Sequence, residues 1–188
     1  MRSRIYPRVL LINNEPFHEG SATGLTMSSL FSDWPSDRLA VICPRSLPKN
    51  LSITKNIYNL SLHDLAVPRC FAFLLRIMIA RSKYSGEQNP TFLGKICGRL
   101  IHIFSVFPYK LDEPLLNWIV NFKPELIYSM LYDLDVMRLS LQISKKYCLP
   151  IAPHFIDDWA FSPMSPLSFD PLLMLFYPPY SKFLLKHI

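Results

Sequence analysis

Apolar positions along this chain gather into short continuous runs, and polar, proline-bounded stretches separate them. Arg8-Val-Leu-Leu-Ile-Asn13 and Arg38-Leu-Ala-Val-Ile-Cys43 have the length and texture of strands buried on both faces of a parallel sheet. Between them, Thr23 to Phe31 reads as a helix, with Ser21 or Thr23 as its cap and Trp34-Pro35 as its stop. Strand, helix and strand within about 36 residues make one βαβ unit. A weaker third strand is expected around Ile57 to Leu60. From about Pro68 to Lys110 the pattern is helical and rich in aromatic residues, with a polar centre from Ser82 to Pro90. Asp112 or Glu113 then opens a helix whose Leu115, Leu116, Trp118, Ile119 and Phe122 follow one face, and Lys123-Pro124 ends it.

Glu125-Leu-Ile-Tyr-Ser-Met130 reads as the fourth strand. The helix from Asp135 to Tyr147 is acidic at its start and carries Lys145 and Lys146 at its end, as the helix dipole favours. Leu149 to Ile156 reads as the fifth strand. Strands alternating with helices predict an α/β fold, a doubly wound Rossmann-like parallel sheet in the order 3-2-1-4-5. Strand one should be central, and strands one, two, four and five nearly all apolar and buried. Residues 1–162 then form one domain with a helical insert at about 61–110. Residues 163–188 form a proline-rich segment and a C-terminal helix.

Composition narrows the class. Of 188 residues, 50% are hydrophobic and 18% charged, so burial can offset the entropy of ordering and a disordered chain is excluded. No apolar stretch reaches the roughly 18 residues of a membrane-spanning helix. The basic, then apolar N-terminus lacks the length and cleavage site of a signal peptide, which predicts a cytoplasmic chain with reduced thiols. Cys43, Cys70, Cys97 and Cys148 have no metal-ligand spacing and read as small buried hydrophobes. The net charge of +6 points to anionic partners: nucleic acid, anionic lipid or phosphorylated ligands. No nucleic-acid module is recognisable. Arg69, Arg76, Arg81, Lys83, Lys95, Arg99 and Lys110, interleaved with aromatic residues, read either as a solvated face or as a contact with an anionic membrane.

Two loops at the carboxyl ends of strands carry candidate chemistry, because ligands of such sheets bind there. The first runs from Asn13 to Gly24 and holds Gly20, Ser21, Thr23 and Gly24. Two of the chain's five glycines at a helix start suit close approach of a phosphate or sugar to backbone N–H groups, or simply a tight turn. The second is His154-Phe-Ile-Asp157-Asp158-Trp159, where a histidine and two carboxylates could serve a metal, acid–base chemistry, sugar hydroxyls or a helix cap. Adjacent Asp side chains on extended backbone point to opposite faces, which disfavours one shared metal. Gly94 and Gly98 read as close helix packing. Ser129 lacks a nucleophile-elbow pattern.

In order along residues 8–159, RVLLINNEPF, GSATGLTMSSLF with WPSDRLAVI, KPELIYSML and LPIAPHFIDDW resemble the N-terminal domain of GT-B glycosyltransferases of the family-4-like group. That group acts in cell-envelope and O-antigen polysaccharide assembly. The resemblance implies transfer of a sugar from a nucleotide-sugar to a glycan or lipid-linked acceptor, usually with retention and without metal or resident cofactor. The N-terminal domain would hold mostly the acceptor, at the inner face of the cell membrane. His154 and Asp157 would contact the transferred sugar as catalytic residues. Gly20, Ser21, Thr23, Gly24 and Asp158 would hold phosphate or substrate. Ala160 departs from the proline that relatives often carry. The sequence stops at Ile188, before a second Rossmann domain. The expectation is therefore an acceptor-side half, inactive alone, either a naturally shortened product or a piece of a larger protein, with a separate donor-binding chain as one candidate partner. A different class, a non-catalytic α/β module for an anionic ligand or partner chain, would use the same loops.

Overall fold

In a computed structural model, the chain is described at residues 6–14, 17, 20–44, 53–68, 71–74, 76–77, 107–131, 134–155 and 186. Its apolar runs become β1 (Val9–Ile12), β2 (Leu39–Cys43), β3 (Ile57–Asn59), β4 (Leu126–Met130) and β5 (Ile151–His154). They form one parallel sheet in the order β3-β2-β1-β4-β5, with β1 at its centre. Both faces of β1 and β2 are buried, which is why these strands read as continuous apolar runs rather than alternating ones. The fold is α/β, doubly wound and Rossmann-like.

Helix α1 (Ala22–Leu30) covers one face. It directs Gly24, Met27 and then Phe31, one narrow stripe at helical spacing, toward the sheet. Met27 and Phe31 pack with Phe17, Val9, Leu11, Val41, Cys43 and Met130. Helices α2 (Glu113–Phe122) and α3 (Leu134–Tyr147) serve the opposite face. Trp118 of α2 meets Tyr58 of β3 with ring centroids 5.5 Å apart. Ser140 of α3 lies 3.0 Å from Ser129 Oγ, which donates to Ile12 O at 3.2 Å. Ser129 is thus a buried pin between β4, β1 and α3.

Local signals explain the helix ends. Ser21 caps α1 by accepting from Gly24 N at 3.1 Å. Asp112 caps α2 by accepting from Leu115 N at 3.2 Å, with Pro114 in the first turn where its missing N–H costs nothing. Lys123 closes α2 in the left-handed region (φ 55°), and Cys148 follows α3 at φ 54°.

Residues 61–110 form a second compact unit. It opens on a capping box, in which Ser61 caps the turn Leu62–Asp64 and Asp64 accepts from Ser61 N at 2.7 Å. Leu65 bridges Tyr109, Ala66 N donates to Pro108 O at 2.7 Å, and Lys110 N donates to Asp64 O at 2.8 Å. Residues 71–74 and 76–77 are helical.

Three expectations need correction. β5 is half exposed rather than buried, because it is an edge strand of the sheet; Pro153, which has no N–H to give a further neighbour, is its exposed residue. Cys148 is exposed, because it occupies the helix-terminating position after α3; Cys43 is buried as expected. Helix α1 ends at Leu30, ahead of Trp34-Pro35, and Phe31 N closes it on Met27 O at 3.1 Å. Residues 82–90, Gly94, Gly98, Cys70, Cys97 and, of the segment 163–188, residues 163–185 and 187–188 lie outside the described residues.

Candidate functional site

Parallel pairing brings the carboxyl ends of all five strands to one edge. The register aligns Ile12 with Ser129, and Ser129 with Pro153. One residue further on, Asn13, Met130 and His154 stand in a row across β1, β4 and β5. Asn13 and His154 are therefore separated by two strand spacings, about 10 Å. This row crosses the gap between β1 and β4, the topological switch point of the sheet, where ligands of open α/β sheets bind.

Asn13 is fully buried. Its backbone N–H donates to Ile42 O at 3.3 Å, extending the ladder to β2, and its Nδ2 lies 3.2 Å from Met130 Sδ. Its Oδ1 has no hydrogen-bond partner among the described residues. A buried amide oxygen without a donor is costly, on the order of 1–3 kcal/mol. Asn14 beside it is also buried. Neither asparagine stood out in the sequence as a site residue. Two consecutive amides directly after a buried apolar run were the available signal.

The β1–α1 loop arrives at the same edge. Gly20 is exposed, Ser21 and Thr23 are half buried, and Gly24 is buried in the first turn of α1. Ser21 Oγ takes the Gly24 N–H, and Leu25 N donates to Ser21 O at 3.0 Å. Helix geometry leaves the N–H groups of Ala22 and Thr23 without intrahelical acceptors, at the positive end of the helix dipole. Neither Gly20 nor Gly24 has a positive φ; among the described residues of this loop, Phe17 (φ 54°) is the left-handed one, and its ring is fully buried. Gly24 instead sits on the stripe of α1 that faces the sheet, where the absence of a Cβ allows close approach.

His154 closes β5, half buried. Its backbone O accepts from Leu131 N at 3.2 Å. Its Nδ1 is hydrogen-bonded to the Tyr128 hydroxyl, and the two rings meet edge-on with centroids 5.8 Å apart. Tyr128 packs edge-on against Phe31 of the α1 terminus at 5.1 Å. Burial pushes the Tyr128 phenol up to about 12, so it is protonated at neutral pH. Tyr128 had no role in the sequence reading, because it looks like any aromatic residue of a buried strand.

Asp157 and Asp158 lie outside the described residues. Among the described residues, no three His, Cys, Asp or Glu side chains gather as a metal site, and no helix is long and apolar enough to cross a membrane. A separate hollow of about 230 Å³ opens between the ends of α2 and α3, lined by Ile119, Val120, Lys123, Pro124, Tyr147 and Leu149. These residues sit where the helices return to the amino ends of the strands, opposite the row of Asn13, Met130 and His154. Comparison of the chain with protein-family models, curated proteins and solved structures finds no match.

Proposed function

We propose that this chain is the acceptor-side, Rossmann-like half of a glycosyltransferase that moves a sugar from a nucleotide-sugar to a glycan or lipid-linked acceptor. The observation that carries the reading is the placement of His154 in one row with Asn13, at the same sheet edge as the start of α1. The segments that resemble family-4-like GT-B enzymes thus converge on a single place. In the reaction, the bond from the anomeric carbon to the nucleoside diphosphate breaks as the bond to the acceptor oxygen forms. Holding both partners in near-attack geometry can supply roughly 7–11 kcal/mol of barrier reduction. The Ala22 and Thr23 N–H groups would meet phosphate oxygens, since a helix start favours negative charge. His154 would hydrogen-bond the transferred sugar, with Asp157 and Asp158 as further polar contacts. By the resemblance, most donor contacts would belong to a C-terminal domain, so residues 1–188 by themselves would hold nucleotide-sugars weakly. Exposed Phe71, Phe73, Leu74, Arg76 and Ile77 support placing the protein at an anionic membrane surface, where a lipid-linked acceptor resides.

The test compares binding of nucleotide-sugars, the matching free nucleotides and inorganic pyrophosphate to the full chain and to His154→Gln. A sugar-dependent gain in affinity that falls roughly two- to tenfold in His154→Gln, the worth of one net hydrogen bond, is expected. Equal binding of pyrophosphate and nucleotide-sugar, unaffected by the substitution, would favour a non-catalytic anion-binding module instead.

A further inference from the structure

The diagonal pair at the end of β4 and β5 bears on how His154 meets a ligand. Tyr128 stands opposite Ala152, two residues before the Met130–His154 pair, so Tyr128 and His154 share one face of the sheet as diagonal neighbours. We infer that Tyr128 is a positioning residue that holds His154 as the neutral Nε2–H tautomer, so that His154 meets an oxygen of the sugar as a hydrogen-bond donor and not as a base. The phenol has one proton to give and is a better donor than a neutral imidazole N–H, whereas the bare imidazole nitrogen is the better acceptor. Among the described residues, the phenol's hydrogen-bond partner is His154 Nδ1. If Nδ1 donated instead, the half-buried Tyr128 proton would need a second acceptor at cost. With Nδ1 accepting, the proton of the neutral ring resides on Nε2, the nitrogen left for a ligand. Phe31 holds the Tyr128 ring edge-on at 5.1 Å, so the phenol is itself fixed from α1. A fixed second partner of this kind is how proteins choose a histidine tautomer and aim its free nitrogen.

Only the identity of the sugar oxygen rests on the glycosyltransferase reading; the tautomer is a property of the free chain. Long-range proton–nitrogen correlation spectra of the ¹⁵N-histidine-labelled full chain, at a pH where histidines are neutral, report the tautomer without any ligand. The His154→Gln spectrum identifies the resonances. Wild-type His154 is expected to show a pyridine-type Nδ1 and a protonated Nε2, and Tyr128→Phe a measurable fraction of the Nδ1–H form. A wild-type Nδ1–H ring, or an unchanged tautomer in a folded Tyr128→Phe protein, would overturn the inference. Should Tyr128→Phe not fold, the wild-type spectrum alone decides it. Failure of sugar binding with the Nε2–H form intact would count against the enzyme reading and leave the tautomer standing.

Discussion

Phe17 shows how packing can overrule backbone preference at a single residue. A non-glycine residue in the left-handed region costs on the order of 1 kcal/mol or more, yet Phe17 sits at φ 54° because its fully buried ring packs edge-on against Phe31. Phe17→Ala should lose about 3–5 kcal/mol of stability in denaturant unfolding. Phe17→Gly is expected to lose no more than Phe17→Ala, because glycine accepts this φ freely; a clear advantage for alanine would contradict the strain argument. The sequence showed glycines in this loop and suggested that they supplied its unusual geometry, but backbone freedom is available to glycine without being required of it. Burial also governs titration. It pushes the Cys43 thiol and the Tyr128 phenol each up to about 12. Both raised groups favour folding while protonated, so their contribution is complete below the unfolded-chain values near 8.5 and 10 and declines as pH rises from there toward 12. Urea midpoints should fall over that range, and Cys43→Ala should flatten the earlier part of the fall. A wild-type midpoint independent of pH up to about 11 would argue against burial of these groups.

Elements were legible where pattern and punctuation agreed. Continuous apolar runs marked β1 and β2, and Asp112 or Glu113 at one end and Lys123-Pro124 at the other bracketed α2 within a residue of its observed ends. β5 was located but its environment was misread, because Ile151 and Ala152 are as apolar as any central strand and only Pro153 hinted at an edge. The pairing of Tyr128 with His154 was not legible, since diagonal contacts depend on register, which no local pattern of β4 or β5 supplies. The left-handed terminators offer a test at this scale. Lys123→Gly should raise stability by about 0.5–1 kcal/mol, because it removes the cost of a Cβ at φ 55° while the N–H to Ile119 O stays in place. Cys148→Gly should act in the same direction. A lowered denaturant midpoint for both would mean that these termini are not strained.

At the scale of the molecule, parallel order converts separate sequence segments into one functional edge. Residues as far apart as Asn13 and His154 reach the same row because β1, β4 and β5 all run the same way. That much followed from strand–helix alternation, whereas the asparagines at the switch point became visible only once neighbouring strands were in place. The surplus of positive charge belongs to this scale as well. Phe73 is 69% exposed and Arg76 is exposed as well, within a sequence that carries no acidic residue between Asp64 and Glu87. Vesicle co-sedimentation should rise with anionic lipid and fall with salt, and Phe73→Ser should weaken it; each basic residue at such a surface adds about 1 kcal/mol. Equal binding to neutral vesicles would remove the electrostatic part. The most direct measurement is amide chemical-shift mapping of the isotopically labelled full chain during titration with nucleotide-sugars. A ligand site at the carboxyl edge requires saturable shifts centred on Asn13, Asn14, Ala22, Thr23, Leu131 and His154. Shifts centred instead on Val120, Lys123 and Tyr147 at the other end of the sheet, or none at millimolar ligand, would contradict it.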